Sequence, residues 1–238
     1  MLDGKINIGG VPHAYTVRKS RRRTLALHVL RDGRIEVRVP RRCPAGAIRA
    51  FVDSRSAWLA RTLDRVAAMP PPAGWRDGEI HQLLGEPLRL RVRHGGRSNV
   101  RCADEFLLVT LGPGREDREQ HVRPLVTHWY RRQARALLED RVDHWFPALE
   151  LAAIRRPPLK VRCMRRRWGS CASHGGINFN LWLIRAPLAC VDYVVVHELC
   201  HLKEFNHGPG FHALMDGILP DWRARREALI QHEREYPL

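Results

Sequence analysis

Three consecutive valines run directly into two histidines and a glutamate, and this segment, Val194 to His201, constrains the fold more than any other part of the chain. The valines place the segment in a core. His197 and His201 are four residues apart, so on a helix their side chains lie about 40° apart on one face. Two imidazoles without hydrogen-bonding partners are costly to bury, whereas one metal ion binds both. The segment therefore predicts a core helix that presents two metal ligands.

Glu198 follows the first histidine and is rotated by about 100° around the predicted helix. From there its carboxylate reaches a water molecule on the metal without binding the ion itself. Neutral imidazole ligands leave the ion Lewis acidic, which lowers the pKa of that water, and the carboxylate takes the proton. The sequence therefore predicts Glu198 as the catalytic acid/base of a metal-dependent hydrolase.

A catalytic zinc site usually has three protein ligands, and several residues compete for the third position. His207 lies six residues after His201, so on a continuous helix it would be about 9 Å further along the axis. Residues 206–210, however, are typical of a helix stop followed by a turn, which would let the chain fold back. This pattern favours His207 as the third ligand. Three other side chains compete with it: Glu204, Glu227 and His212.

Three arginines precede a Trp-Gly-Ser turn in residues 165–170. Guanidinium groups bind carboxylates and phosphates through paired hydrogen bonds, although a solvated loop anchored by a core tryptophan gives the same pattern. Residues 177–181 then alternate as in a strand, and an edge strand beside a metal can hold an extended peptide through backbone hydrogen bonds. These segments supply five candidate substrate-binding residues: Arg165, Arg167, Trp168, Asn178 and Asn180.

Hydrophobic periodicity in the first part of the chain favours strands and one helix. Apolar and polar residues alternate over residues 24–29 and 34–39, on either side of the turn Arg31-Asp32-Gly33, and this pattern predicts a β-hairpin. Apolar residues at three- and four-residue steps predict one amphipathic helix over residues 44–69. Pro70 to Gly74 ends that helix and forms a linker.

The second part of the chain changes from strands to helices. Residues 79–111 are strand-like, a longer helix is predicted over 118–145, and two short strands follow at 159–164 and 177–183. No internal repeat is evident. We therefore predict an α+β fold with two domains: a β-rich N-terminal region with one helix (1–115) and a helix-rich region with a small sheet (116–238).

Arginine dominates the charge of the chain: 37 of the 41 basic residues are arginine, against 25 acidic residues, and the net charge is +16. The excess favours anionic partners, including nucleic acid and nucleotides, although the basic residues are spread along the chain. The six cysteines form no CxxC pair, which favours free thiols over disulfides. No apolar stretch approaches the roughly 20 residues of a membrane span, and no secretory signal is visible, so we expect a cytoplasmic protein without a membrane partner.

Three C-terminal segments carry a family resemblance: RRRWGSCASHGGINFNLWLI, PLACVDYVVVHELCHLKEFNHGPGFH and LPDWRARR. They resemble the YgjP-like metallopeptidase family, which is distantly similar to SprT-type and Wss1-like zincin domains. The resemblance implies that the helix-rich region (116–238) is the helical zincin-like metallopeptidase core of a zinc-dependent hydrolase. It also implies His197, His201 and His207 as ligands and Glu198 as acid/base. The GPGFH segment departs from the family, whose members often have a serine after the histidine and a tryptophan after the phenylalanine. That departure affects the wall on the substrate side and not the metal.

The favoured function is a zinc metallopeptidase that cleaves peptides or proteins, with Mn²⁺ and Ni²⁺ as alternative ions. A first alternative is a metal-dependent nucleotide hydrolase, in which the same centre attacks a phosphoanhydride and arginines neutralise the developing charge. A second alternative is a nucleic-acid-associated protein with a structural metal, whose binding would fall steeply with added salt.

Overall fold

The computed structural model describes the chain over six ranges: residues 2–30, 32–68, 74–116, 119–149, 155–172 and 175–236. Its contacts divide the chain into two compact units, Met1–Pro71 and Pro72–Leu238. Both combine helices with small sheets, so the α+β class is confirmed. Composition predicts a boundary at residues 115–116, which lies inside the second unit, because the sheet before it packs against the helix after it. The predicted linker at 70–74 lies almost entirely outside the described residues.

The first unit contains a four-stranded sheet with the strands β1 (Leu2–Ile8), β2 (Val11–Ser20), β3 (Ala26–Val29) and β4 (Ile35–Pro40). The strand order is β1-β2-β4-β3, with a parallel pair in the centre and an antiparallel pair at each edge. The predicted hairpin is confirmed as β3 and β4. Within its turn, Gly33 has a φ of 78°, and Arg31 lies outside the described residues.

The predicted helix over residues 44–69 is wrong in one respect, since the structure has two helices there, α1 (Ala45–Asp53) and α2 (Ser56–Ala67). The break lies at Ser54, whose hydroxyl donates a hydrogen bond of 2.8 Å to the carbonyl of Phe51. The next backbone N–H, that of Arg55, donates to the carbonyl three residues earlier. A serine that bonds the preceding backbone in this way competes with the helical hydrogen bonds and ends the first helix.

The second unit begins with another four-stranded sheet: β5 (Ile80–Leu83), β6 (Glu86–His94), β7 (Asn99–Ala103) and β8 (Phe106–Leu111). Its order, β5-β6-β8-β7, and its parallel central pair repeat the arrangement of the first unit. In each unit the first hairpin has a two-residue connection with positive φ at both positions, Gly9–Gly10 and Leu84–Gly85. The expectation of no internal repeat is therefore wrong at the level of topology.

A long helix, α3 (Glu119–Trp145), follows this sheet, as predicted. Its buried side chains recur at three- and four-residue steps and face the core: Val122, Val126, Trp129, Tyr130, Ala134, Leu138 and Val142. This spacing buries one stripe of the helix against its neighbours.

A three-stranded sheet comes next, with the strands β9 (Leu159–Arg162), β10 (Gly169–Cys171) and β11 (Ile177–Asn180). The order is β10-β11-β9, so β10 lies at one edge of the sheet. The predicted strand at 177–183 ends early, because the Asn180 side chain accepts a hydrogen bond of 3.2 Å from the Trp182 backbone and starts a 3₁₀ helix, Leu181–Arg185.

Three helices complete the second unit: α4 (Leu188–Cys200), α5 (Pro209–Ile218) and α6 (Trp222–Glu235). Helix α4 contacts α3, α5, α6 and β10 and forms the centre of the unit. None of the helices in the described residues has the length and apolar character needed to cross a membrane.

Candidate metal centre

Helix α4 is anchored on several sides before it reaches the histidines. Val194, Val195 and Val196 are all buried. On α4, Asp192 accepts two hydrogen bonds from the guanidinium of Arg141 on α3, at 2.7 and 3.2 Å. A paired arginine–carboxylate contact of this kind fixes orientation as well as position. The helix therefore presents its C-terminal residues from a rigid base.

The three predicted histidine ligands converge. One ligand nitrogen from each of His197, His201 and His207 lies within 4.8 Å of the other two, and this is the one such group of His, Cys, Asp or Glu residues found in the described ranges. The Nε2 atoms of His197 and His207 are 3.1 Å apart. Two nitrogens bound to one tetrahedral zinc at about 2.0–2.1 Å are about 3.3 Å apart. The spacing therefore fits nitrogens that share an ion.

The chain reverses after His201 and brings His207 to this group. Helix α4 ends at Cys200, and tight backbone hydrogen bonds from residues 202–204 to Leu199 and Cys200 close its last turn. The segment 206–210, predicted as a helix stop, instead leads into the next helix, which begins at Pro209. The predicted reversal is confirmed, but it occurs about one turn earlier than expected.

Phe211, on the first turn of α5, is a site residue that the sequence did not reveal. It is 2% exposed, and its ring centroid lies 5.0, 4.8 and 4.7 Å from those of His197, His201 and His207. Such distances are typical of aromatic packing. Phe211 therefore forms the apolar floor on which the three imidazoles are oriented.

Burial favours the neutral, metal-binding form of His197 and His207. Burial, followed by the charges of His201 and His207, lowers the pKa of His197 to about 3. Burial and neighbouring histidines also lower the pKa of His207. The Nδ1 of His201 donates a hydrogen bond of 3.0 Å to the carbonyl of Glu204, which leaves Nε2 with a lone pair. His207 is exposed, so one side of the group faces solvent.

The competing third ligands have other environments. Glu204 contributes its backbone carbonyl, not its carboxylate, to His201. His212 stacks on Trp222 with a centroid distance of 5.7 Å and an interplanar angle of 3°. Glu227 is exposed on α6. None of the three belongs to the ligand group found in the described part of the chain.

Glu198 lies beside this group and is 6% exposed. Burial raises its pKa to about 8, although the charge of Arg167 and the backbone N–H of Cys171 oppose the shift. The carboxylate packs against the first residue of β10, Gly169, where an added Cβ would lie 2.4 Å from Oε1. Glycine at this position therefore leaves the carboxylate its space, and a side chain here would displace it.

A cavity of about 280 Å³ adjoins Glu198 and His197. Its apolar walls include Trp168 and Leu229. The indole N–H of Trp168 donates to Glu233 at 3.4 Å, which fixes the ring in the wall. Arg167, Tyr193 and Arg226 also line this cavity. Of these three, only Arg167 was predicted from the sequence as a site residue.

The remaining candidate substrate residues lie in or behind a second, open groove of about 600 Å³. Arg165, Arg167 and Asn178 line it. Asn180 does not, since it is fully buried and its amide donates to the carbonyls of Met164 and Arg167 at 2.7 and 3.0 Å. Asn180 therefore positions the arginine loop and offers no surface to a substrate.

Two solved structures show limited similarity to this chain. Abylysin from Pyrococcus abyssi, described as a metallopeptidase zymogen, is 17% identical, with 42% of this chain and 99% of that chain covered and a TM-score of 0.38. Jannalysin from Methanocaldococcus jannaschii, also a metallopeptidase zymogen, is 18% identical, with 40% and 95% covered and a TM-score of 0.36. No curated protein matches the chain.

The family comparison covers most of the sequence and both units. The model of the YgjP-like metallopeptidase domain matches residues 23–232, which include the three histidines, Glu198 and the arginine loop. The chain therefore belongs to the YgjP-like metallopeptidase family and is a metal-dependent hydrolase.

Proposed function

We propose that this protein is a zinc peptidase in which His197, His201 and His207 hold the ion and Glu198 is the catalytic acid/base. The single observation that carries the proposal is the convergence of three imidazole nitrogens within 4.8 Å, on a face open to solvent. Three nitrogen donors with an open position are the ligand set of a catalytic zinc site. They are less suited to ions that prefer six oxygen ligands, such as Mn²⁺.

The bound ion would act as a Lewis acid that lowers the pKa of water and polarises the substrate carbonyl. Glu198 takes the proton from the attacking water and transfers it to the leaving amine. A carboxyl group whose pKa lies near the working pH suits both steps, and burial moves Glu198 in that direction. Gly169 leaves room for the carboxylate, and Phe211 keeps the imidazoles in place.

Strand β10 provides the surface for an extended substrate. It lies at the edge of its sheet, pairs antiparallel with β11, and begins at Gly169, in contact with Glu198. A peptide added to such an edge forms backbone hydrogen bonds that are independent of its sequence. The scissile bond is thereby brought next to the acid/base.

The test compares substrate classes in one experiment. Quenched fluorescent peptides and nucleoside triphosphates are incubated with the zinc-loaded protein and with a Glu198→Gln variant. We expect peptide cleavage that falls by about 10²–10⁴-fold in the variant, with zinc retained, since only the proton transfer is lost. Glu227→Gln, an exposed substitution on α6 with the same change of charge, serves as the matched control and should cleave like the wild type.

Two results would overturn the proposal. One is a Glu198→Gln variant that retains zinc and cleaves peptides at the wild-type rate. The other is hydrolysis of triphosphates, with no cleavage of any peptide, that depends on Glu198. The second result would instead support the nucleotide hydrolase, which stays a prediction together with the nucleic-acid-associated function and the cytoplasmic location.

A further inference from the structure

The open groove beside β10 is lined by cationic side chains and by no carboxylate. Its residues are the arginines at 162, 165, 166 and 167 with Met164, Ser170 and Asn178. The groove has a volume of about 600 Å³, sufficient for several side chains of a peptide. A concave surface with one sign of charge concentrates ligands of the opposite sign.

Hydrogen bonds from the buried Asn180 fix the loop backbone that carries these arginines. The buried amide of Asn180 holds the carbonyls of Met164 and Arg167, and the Asn180 backbone N–H donates to the Trp168 carbonyl at 2.7 Å. Arg162 lies on β9, paired in register with Asn180. A cationic surface whose backbone is already ordered loses less entropy when a ligand binds.

Three of these arginines are available to a ligand. Arg162, Arg165 and Arg167 are exposed, and no carboxylate among the described residues lies within 4.0 Å of their guanidinium groups. Elsewhere in the same unit, by contrast, arginines such as Arg141 and Arg156 are paired with aspartates. Unlike these two, Arg162, Arg165 and Arg167 form no ion pair with the described carboxylates and can bind an acidic ligand.

The groove adjoins the catalytic centre, since the two share Arg167 as a lining residue. Arg167 lines both the groove and the cavity that contains Glu198, and Ser170 of β10 lies in its wall. Residues of an extended peptide are about 3.3 Å apart, so alternate side chains on one face are about 6.6 Å apart. Ser170 on β10, Asn178 on β11 and Arg162 on β9 share one face of the sheet, so the groove crosses this face from the β10 edge. A peptide at that edge would have side chains near Arg167 and Arg165, which precede β10, and the part that follows the groove would approach Arg162.

We infer that this groove selects substrates with acidic residues on one side of the scissile bond, which Arg162, Arg165 and Arg167 bind through their guanidinium groups. This inference rests on the proposed peptidase function and adds the substrate class. An acidic peptide is favoured over single-stranded nucleic acid, because a groove for nucleic acid combines cationic with aromatic side chains, and this lining contains no aromatic residue.

The test uses matched peptides and matched variants. Peptides with Asp or Glu at successive positions on either side of the cleaved bond are compared with their Asn and Gln counterparts. Two exposed ion pairs should raise kcat/KM by up to about 30-fold at low salt. This preference should arise from one side of the bond only and should shrink near 1 M salt, where the Debye length is about 3 Å.

The variant Arg162→Glu/Arg165→Glu should lose the preference for acidic peptides. Its control is Arg93→Glu/Arg101→Glu, two exposed arginines on β6 and β7 that lie outside the groove lining and change the net charge equally. Fluorescence anisotropy of the same peptides on Glu198→Gln protein gives a readout that needs no turnover. There the acidic peptides should bind more tightly than the amide peptides, and reversal of the groove charges should remove the difference.

Several results would overturn the inference. Equal cleavage of acidic and amide peptides would overturn it while leaving the peptidase function intact. An equal loss of the preference for acidic peptides in the groove variant and in the control variant would have the same consequence. If no peptide is cleaved, the peptidase proposal fails, and the anisotropy measurement alone decides about the groove. Tighter binding of a single-stranded oligonucleotide than of any acidic peptide, lost on groove charge reversal, would assign the groove to nucleic acid instead.

Discussion

Replacement of Gly169 by alanine should disable the enzyme without removing its metal. A Cβ at this position would lie 2.4 Å from Oε1 of Glu198, 2.6 Å from Cγ and 2.8 Å from Cδ. Non-bonded carbon atoms are normally about 3.5–4.0 Å apart, so the carboxylate or the strand must move by about 1 Å. A displacement of that size in a catalytic group costs about 10²-fold. We therefore expect kcat/KM for peptides to fall about 100-fold.

The same contact should lower stability. Overpacking of this kind costs about 1–3 kcal/mol. In a Glu198→Ala background the overlapping atoms are gone, so Gly169→Ala should there cost almost nothing. Thermal unfolding of the four proteins in this double-mutant cycle, with the zinc content of each measured, separates a local clash from general damage to β10.

Gly217 of α5 provides the matched control, because a Cβ there meets nothing within 4 Å. Gly217→Ala should keep full activity and gain up to about 1 kcal/mol from helix propensity. The reasoning is refuted if Gly169→Ala cleaves peptides like the wild type, or if it destabilises the wild-type and Glu198→Ala backgrounds equally.

Two further predictions concern the buried residues Asn180 and His81, and a third concerns removal of the metal. Asn180→Ala should lower the free energy of unfolding by about 1–3 kcal/mol in denaturant titrations, since the carbonyls of Met164 and Arg167 lose their donor. Burial lowers the pKa of His81 from 6.5 to about 4, so between these pH values only the unfolded chain gains a proton at this residue. The free energy of unfolding should therefore fall by up to about 3 kcal/mol as the pH drops from 6.5 to 4. In urea titrations at several pH values, His81→Leu should remove this pH dependence. Chelation of the metal should lower the melting temperature, and added zinc should restore it. At a free zinc concentration a thousandfold above Kd, the stabilisation should be about 4 kcal/mol. The melting temperature of His207→Ala should respond little to either treatment.

Helical geometry was sufficient to predict the convergence of the three histidines. The four-residue spacing of His197 and His201 places both on one face, and the length of a helical turn requires the chain to reverse before His207. The position of the reversal was harder to predict, because Gly208 and Pro209 suit either the end of one helix or the start of the next. The structure uses them as the start of α5.

Other features depend on contacts between distant segments, which local patterns do not contain. Alternation places Asn178 and Asn180 on the same face of β11, but it does not say that the loop before β10 covers Asn180. In the same way, the packing of Phe211 against three imidazoles depends on where α5 lies relative to α4. The repeated sheet topology was not predicted, because corresponding strands of the two sheets share their order and connections and not their sequence.

X-ray absorption at the zinc edge tests the shared ion most directly, combined with the metal content of the wild type and of the three single His→Ala variants. For the wild type we predict one zinc per chain with three nitrogen ligands at about 2.0–2.1 Å and one oxygen ligand. Loss of one nitrogen ligand, or of the ion, is expected in each variant at positions 197, 201 and 207. A wild-type spectrum that fits fewer than three imidazoles, or a His207→Ala protein with an unchanged zinc environment, would contradict the account.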